Sequence, residues 1–174
     1  MRIETEAIYG FVHPPEVVYD LAADHENLPR VFKGVGPVPA VVAVRMRDDG
    51  LMRYVENADG SVIHQQVVRM ERPHLQEFAL VGGFQPPFSW LVRGGGGVWR
   101  FRRSAQGCVA RWQVYFDLRT VAAFPLISLL LHKFYRQAMY DCLHAMGEQL
   151  LAGRALDRGS RAAPPREEAE HGHA

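Results

Sequence analysis

The sequence predicts an α+β domain in which a curved, seven-stranded antiparallel sheet packs against one long C-terminal helix. Three observations predict this fold. Short runs between residues 38 and 119 alternate apolar and polar side chains with period two, and turn residues such as Asp59-Gly60 separate them. A similar run at residues 2–11 precedes them. After them, apolar residues recur at three-or-four spacing from Pro125 to about Ala152, which is the pattern of an amphipathic helix.

Two short helices are expected between the first strand and the rest of the sheet. Pro14 and Pro15 end the strand, and proline followed by Glu16 in the first turn favours the start of a helix. Asp24 can cap a second short helix, which glycines and prolines at residues 34–39 bring to an end.

Six further strands follow one another through short turns, which indicates an antiparallel meander. In the strand at residues 61–71, alternation places His64 and Gln66 on one face among apolar neighbours. That face lies either toward the helix or on the solvent side. The six predicted strands are residues 38–47, 51–58, 61–71, 75–81, 88–93 continued by 98–103, and 108–119.

Four consecutive glycines, at residues 94–97, raise the question of a phosphate-binding loop. Such a loop needs a helix directly after it, whereas the next residues alternate aromatic and arginine side chains as a strand does. Glycine inside a strand marks a bulge, a tight corner or a close backbone approach. The sequence therefore predicts a sharp bend here, with Trp99 and Phe101 facing the helix and Arg100 and Arg102 facing outward.

The C-terminal helix sets the expected domain boundary. About 27 residues at 1.5 Å each reach roughly 40 Å, long enough to cross the sheet. We expect one domain at residues 1–153. Residues 154–174 are rich in Arg, Ala, Glu and Pro, which predicts a solvated, flexible tail.

Composition and charge exclude several classes of protein. The chain has 174 residues, 48% of them hydrophobic, which suffices for a core and an internal cavity. Its net charge of +1 predicts no nucleic-acid partner. Cys108 and Cys142 form no Cys-x-x-Cys pair and the histidines show no metal-ligand spacing, so we expect no metal and no cofactor.

The expected location is the cytoplasm. The N-terminal residues lack the basic and apolar regions of a signal peptide. The longest apolar run, residues 121–131, is shorter than the roughly 20 residues that span a bilayer, so stable membrane insertion is not expected.

The order of elements, together with three short motifs, resembles the helix-grip fold of the START-like, or SRPBCC, superfamily. The motifs are HPPEVVYDL at residues 13–21, NLP at 27–29 and QGCVARW at 106–112, where Cys108 stands in place of the usual Thr. The resemblance covers residues 1 to about 153 and is nearest to the polyketide cyclase/dehydrase and lipid-transport branch. It implies a carrier of an apolar small molecule, such as a lipid, polyketide or isoprenoid, or a cyclase or dehydratase. The superfamily has no shared catalytic motif to transfer.

A helix gripped by a curved sheet leaves a cavity, which apolar side chains and a few polar groups would line. Trp99, Phe101 and Trp112 would form an aromatic wall suited to planar ligands, although ordinary core packing explains them equally. His64 is the candidate general acid or base of an enzyme. The predicted ligand-binding residues are Tyr54, His64, Gln66, Trp99, Phe101, Trp112, Leu131, Tyr135, Ala138 and Cys142.

Three functions therefore stay open: a carrier of an apolar ligand, an enzyme that uses the same cavity, and a protein-interaction module whose cavity is filled. The apolar residues 121–131 and the loop at 82–87 form either a buried cap or a portal. A portal would open to a ligand or rest on a membrane or partner surface. Homodimerisation is also left open.

Overall fold

The computed structural model describes residues 1–161 and has the predicted α+β architecture. Consecutive strands from the second to the seventh pair with each other, and the first strand pairs with the seventh, all antiparallel. The sheet order is β1-β7-β6-β5-β4-β3-β2, which confirms the meander. The strands are β1 (Arg2–Phe11), β2 (Val41–Met46), β3 (Met52–Asn57), β4 (Val62–Glu71), β5 (Leu75–Gly82), β6 (Val92–Ser104) and β7 (Gly107–Leu118).

The helices also follow the predicted order, with one addition and one extension. The addition is a single helical turn, α3, where a strand fragment was expected at residues 88–93. The last helix continues through Gly153 to Arg161, because the residues after Gly153 include good helix formers and no proline before Pro164. Residues 162–174 lie outside the described residues, and the domain boundary at 153 stays a prediction. The helices are α1 (Pro15–Ala23), α2 (Leu28–Val31), α3 (Phe88–Leu91), α4 (Phe124–Leu129) and α5 (Arg136–Arg161).

The C-terminal helix is continuous but not regular. A 3-10 turn, Val121–Ala123, leads into α4, and a π-helical segment, Leu130–Tyr135, joins α4 to α5. Pro125 occupies the first turn of α4, where its missing N–H costs no hydrogen bond. A π-helical turn inserts extra residues, so it changes which side chains meet the sheet after it, and such turns are frequent at functional sites.

One half of the sheet, formed by β1, β7 and β6, supplies the core. The side of the sheet that faces the C-terminal helix is called the inner face. Trp99 and Phe101 are buried on it, whereas Arg100 and Arg102 are exposed on the outer face, as predicted. The buried apolar side chains of β6, β7 and the C-terminal helix include Val92, Trp99, Phe101, Cys108, Ala110, Trp112, Val114, Phe116, Leu118, Ile127, Leu131, Ala138, Met139, Cys142, Leu143 and Met146.

The four glycines lie inside β6, which begins before them at Val92. A register shift between Val92 and Gly94 marks an irregularity at the first of these glycines, while the sharp bend stays a prediction. A Cβ atom on Gly96 would lie 2.5 Å from the Tyr115 hydroxyl and 2.7 Å from the Phe78 carbonyl oxygen. The absence of a side chain at Gly96 therefore allows the Tyr115 ring to cover the outer face of β6.

Candidate ligand-binding site

Tyr54, His64 and Gln66, three of the predicted site residues, lie on the outer face of the sheet. Tyr54 and His64 are cross-strand partners whose ring centroids are 5.1 Å apart, edge to face. Their chain neighbours Arg53 and Gln65 therefore lie on the inner face, because successive side chains of a strand point to opposite faces. The residues that oppose one another on the inner face from β4 to β7 are Gln65, Leu80, Gly95 and Phe116.

The orientation of β4 is therefore the reverse of the one on which the predicted site depended. The face that carries His64 and Gln66 is the solvent side. Alternation defines two faces of a strand but not which one is buried. Val68 and Met70, the apolar residues that favoured the other orientation, are themselves exposed. His64 is therefore withdrawn as the candidate general acid or base of an interior site.

The other seven predicted residues lie between the sheet and the helix, and most form a packed core. The rings of Trp99 and Trp112 stack at 4.3 Å, and Phe101 stacks on Trp99 at 6.0 Å. The void beside Trp99 and Cys142 measures about 10 Å³, roughly the room that one water needs. A ligand at this aromatic wall would have to displace side chains, so the role of these residues in binding stays a prediction. Leu131 and Ala138 are buried here as well.

Cys142 is not a nucleophile in this environment. Burial raises the pKa of its thiol to about 12, so the thiol is protonated at neutral pH. A protonated, buried thiol packs as a small apolar group.

The second half of the interior, under β2 to β5, is less tightly closed. Its inner face mixes buried side chains, such as Val55 and Phe78, with half-buried ones, whereas the inner-face side chains of β7 are all buried. Tyr135, at the end of the π-helical segment, faces this half, and its ring lies 6.1 Å from that of Phe116. We call this region the cleft. Its half-buried inner-face residues are Val44, Arg53, Ile63, Gln65 and Leu80.

Aromatic rings from α3 and the loop before it cover one end of the cleft. Phe88 contacts Phe116 edge to face at 5.2 Å, and Phe84 contacts Phe88 in the same way at 5.5 Å. Both Phe84 and Phe88 are half-buried. The cover is therefore a single helical turn and a loop rather than a strand of the sheet.

Arg53 places a cation inside the cleft, and sequence analysis missed it. Its Nε donates a hydrogen bond to Oε1 of Gln65 at 2.5 Å, and its guanidinium lies 3.6 Å from the Phe78 ring centroid. None of the ion pairs among the side chains of residues 1–153 involves Arg53. Burial lowers the pKa of Arg53 to about 10, so the side chain is still charged at neutral pH.

Tyr135 adds a hydrogen-bond donor beside this cation. Burial raises its pKa to about 12, and the charge of Arg53 opposes that rise. The phenol is therefore neutral at physiological pH and can donate a hydrogen bond, but it cannot act as a base. Within the described part of the chain, no hydrogen bond uses the Tyr135 hydroxyl.

The hairpin turn of β3 and β4 determines which side chains share a face with Arg53. A turn at Asp59-Gly60 places Arg53 opposite Gln65 and Val55 opposite Ile63 on one shared face. A Val–Ile cross-strand pair is typical of a packed face, whereas an arginine beside it is typical of the solvent face, so this pairing alone does not identify the inner face. The longer apolar alternation of β4 alone favours the opposite face as the inner one.

A separate groove of about 370 Å³ lies toward the other end of β4, β5 and β6. Its walls carry charges of both signs, and two of them, Arg69 and Glu71, pair with each other. It shares none of the cleft residues. The lining residues are Arg69, Glu71, His74, Leu75, Glu77, Arg100, Phe101 and Arg102. Among the described residues, no cluster of side chains could hold a metal ion.

The fold and the cleft define a helix-grip protein of the START-like class, with an interior between a curved sheet and a long helix. The sequence profile of the family described as polyketide cyclase / dehydrase and lipid transport matches residues 12–146, and the chain belongs to that family. No curated protein matches the chain significantly.

Solved structures with the same fold are distant in sequence. A point mutant of Thalictrum norcoclaurine synthase bound to a transition-state analogue is 10% identical, with a TM-score of 0.67 over 88% of this chain and 97% of that one. The structure of Ara h 8.0201 is 14% identical, with a TM-score of 0.65 over 87% of this chain and 99% of that one. The di-domain ARO/CYC StfQ of the steffimycin biosynthetic pathway is 13% identical, with a TM-score of 0.64 over 87% of this chain and 52% of that one. At these identities the likeness shows the fold alone.

Proposed function

We propose that the protein binds an apolar small molecule in the cleft, and that Arg53 holds an anionic group of that molecule. The observation that carries this proposal is the unpaired cation. A charge removed from water is costly unless it is paired and hydrogen-bonded. Guanidinium has five N–H donors, and Gln65 engages only Nε, so the forked end of Arg53 is free to bind a carboxylate, sulfonate or phosphate through two hydrogen bonds.

The surroundings of Arg53 support an apolar body on the ligand. Val44, Ile63 and Leu80 line the same inner face, and the neutral phenol of Tyr135 can donate a second hydrogen bond to a ligand oxygen. A pocket with mostly apolar walls and a few polar groups is the usual form of a small-molecule site. The ligand class is therefore an acidic lipid, polyketide or isoprenoid-like molecule, sequestered by the fold.

Entry of the ligand would require the cover over the cleft to move. Phe84 and Phe88 lie on a loop and on a helix of only four residues, and neither ring is fully buried. Short, weakly buried segments open more readily than a strand that is hydrogen-bonded on both sides. We place the portal at α3 for this reason.

A fluorescence titration with anilinonaphthalene sulfonate, an apolar double ring with one anionic group, tests the proposal. The wild-type protein should bind this probe, and dodecanoate should displace it more strongly than dodecanol. Loss of a hydrogen-bonded charge contact is worth about 1.5–3 kcal/mol, so Arg53→Met should weaken probe binding roughly ten- to hundred-fold.

The matched control is Arg102→Met, which removes an exposed arginine from the outer face of the sheet. It should bind the probe as the wild type does. Equal affinity of the wild type and Arg53→Met, or equal displacement by acid and alcohol, would overturn the role of Arg53. If no apolar probe binds at all, the protein-interaction module of the sequence analysis becomes the better account.

One observation favours a second candidate, a cyclase or dehydratase that uses the same cleft. Arg53 and Tyr135 interact electrostatically, and both carry their protons at neutral pH. Two such donors at one carbonyl oxygen would stabilise the negative charge of an enolate. Incubation with a poly-β-keto thioester separates the two functions. A carrier returns the molecule unchanged, whereas an enzyme yields a cyclised or dehydrated product whose rate of formation falls in Arg53→Met.

A further inference from the structure

The end of the molecule formed by α3 and α4 exposes large apolar side chains that do not contribute to the core. Trp90 is 69% exposed and Val121 is 73% exposed. On α4, Leu126 and Leu129 are one helical turn apart and both point outward. We call these residues the end patch. Its members are Trp90, Val121, Phe124, Leu126 and Leu129.

The two segments of the end patch belong to one surface because Arg119 ties them together. The Arg119 backbone N–H donates to the Leu91 carbonyl at 2.9 Å, and its Nε donates to the Ser89 carbonyl at 2.9 Å. These bonds hold α3 against the chain two residues before Val121. Trp90 and the start of the C-terminal helix therefore lie at the same end of the fold.

Positive charge predominates around the end patch; the carboxylate of Asp117 interacts with Arg93 but is paired with Arg2. The segments at residues 84–93 and 119–136 contain no Asp or Glu. They contain four exposed cations, and no ion pair within residues 1–153, the part whose side chains are described, uses them. On the C-terminal helix, the outward face passes from the leucines of α4 to His132 and Lys133. The four cations are Arg93, Arg119, Lys133 and Arg136.

We propose that the end patch docks on the surface of an anionic lipid bilayer. Exposed leucine, phenylalanine and tryptophan side chains next to Lys and Arg, with no carboxylate in the same two segments, match an interface in which acyl chains lie just below anionic headgroups. Tryptophan favours the headgroup level of a bilayer.

This docking is peripheral and goes beyond the proposed ligand binding, on which it does not depend. No helix in the described part of the chain is long and apolar enough to cross a membrane. Docking would bring α3, the cover of the cleft, against the bilayer. An acidic apolar molecule could then pass between the cleft and the membrane without crossing water.

Vesicle binding tests the docking surface. The full chain should co-sediment with vesicles of phosphatidylcholine and phosphatidylglycerol, and far less with phosphatidylcholine alone. Added salt should weaken the binding by screening the four cations. Trp90 is the exposed tryptophan, whereas Trp99 and Trp112 are buried, so vesicles should shift the tryptophan emission to shorter wavelength. This shift should be absent in Trp90→Phe.

Paired variants distinguish binding through the end patch from non-specific adsorption to vesicles. Leu126→Ser/Leu129→Ser should abolish most vesicle binding, whereas Leu51→Ser/Leu151→Ser, which changes leucines of equal exposure elsewhere, should leave it intact. Lys133→Gln/Arg136→Gln should weaken binding to anionic vesicles by about five-fold for each cation removed. Arg100→Gln/Arg102→Gln, on the outer face of the sheet, is the matched control.

Three results would overturn the proposal. One is failure of the wild-type chain to bind anionic vesicles. Another is equal loss of binding in the patch variants and their controls. The third is a wild-type dimer in light scattering that Leu126→Ser/Leu129→Ser converts to a monomer, because the end patch would then be covered by a second copy of the chain. Each result leaves the probe titration of the cleft unaffected, so the two proposals fail separately.

Discussion

The guanidinium of Arg53 lies over the ring of Phe78 on the inner face of the sheet, 3.6 Å from the ring centroid. This contact and one hydrogen bond to Gln65 replace the water that the cation loses on folding, and no carboxylate within residues 1–153 forms an ion pair with it. Such an arrangement stabilises the fold poorly but leaves the charge ready for an anion.

Replacement of Arg53 by Met should stabilise the protein. An apolar side chain of similar length removes the desolvation cost of an unpaired charge, and such exchanges gain about 1 kcal/mol or more. Urea unfolding should therefore show a higher midpoint for Arg53→Met. Arg102→Met, on the exposed face, should change the free energy of unfolding by no more than about 0.5 kcal/mol. A clear destabilisation by Arg53→Met would mean that Arg53 is a structural residue.

Tyr135 should make the protein sensitive to alkaline pH. Its pKa is raised to about 12 in the folded state, against an ordinary value of about 10. Between these two values the unfolded chain loses the phenolic proton while the folded chain keeps it, so stability falls as pH rises through this window. Tyr135→Phe has no such proton and should lose less stability between pH about 10 and about 12 in urea unfolding. Parallel losses in the two proteins would show that Tyr135 is not buried as described.

Neighbouring glycines of β6 should respond oppositely to the same substitution. A Cβ on Gly96 would lie 2.5 Å from the Tyr115 hydroxyl and 2.7 Å from backbone at Phe78, whereas a Cβ on Gly97 would meet nothing closer than 3.7 Å. Gly96→Ala should therefore destabilise the protein by about 1–3 kcal/mol. Gly97→Ala should be neutral or stabilising by about 0.4–1 kcal/mol. Thermal unfolding of the two variants measures the difference, and equal effects would contradict the close approach at Gly96.

The packed half and the cleft half of the interior should also differ on truncation. Trp112 is buried and stacked on Trp99, so Trp112→Ala should cost about 3–5 kcal/mol of stability. Phe88 only covers the end of the cleft, so Phe88→Ala should cost less and should speed both uptake and release of anilinonaphthalene sulfonate. Urea unfolding and stopped-flow fluorescence give the two values. Unchanged probe kinetics in Phe88→Ala would place the portal elsewhere.

The order of elements could be predicted because alternation and turn residues are local signals. Seven strands, the two helices after β1 and the long last helix all follow from them. The orientation of β4 could not be predicted, because the sequence does not distinguish an exposed apolar residue such as Val68 from a buried one. At β2, a register shift between Val41 and Ala43 reverses the alternation, so that Val42 is exposed.

Only part of the interior could be predicted from the sequence. Trp99, Phe101 and Trp112 were correctly placed on the inner face, because a long regular strand keeps its period. Arg53 was missed, because the cost of a buried cation depends on partners from β4 and β5 that only the fold brings together. The π-helical turn that ends at Tyr135 has no sequence signal in the apolar run before it.

The central claim is that the cleft holds an acidic apolar molecule through Arg53. Native mass spectrometry of the purified protein, followed by solvent extraction, tests it most directly. The wild-type protein should carry a molecule with an acidic group and an apolar body, and Arg53→Met, purified in the same way, should carry much less of it. Recovery of the same molecule in equal amount from both proteins would contradict the claim.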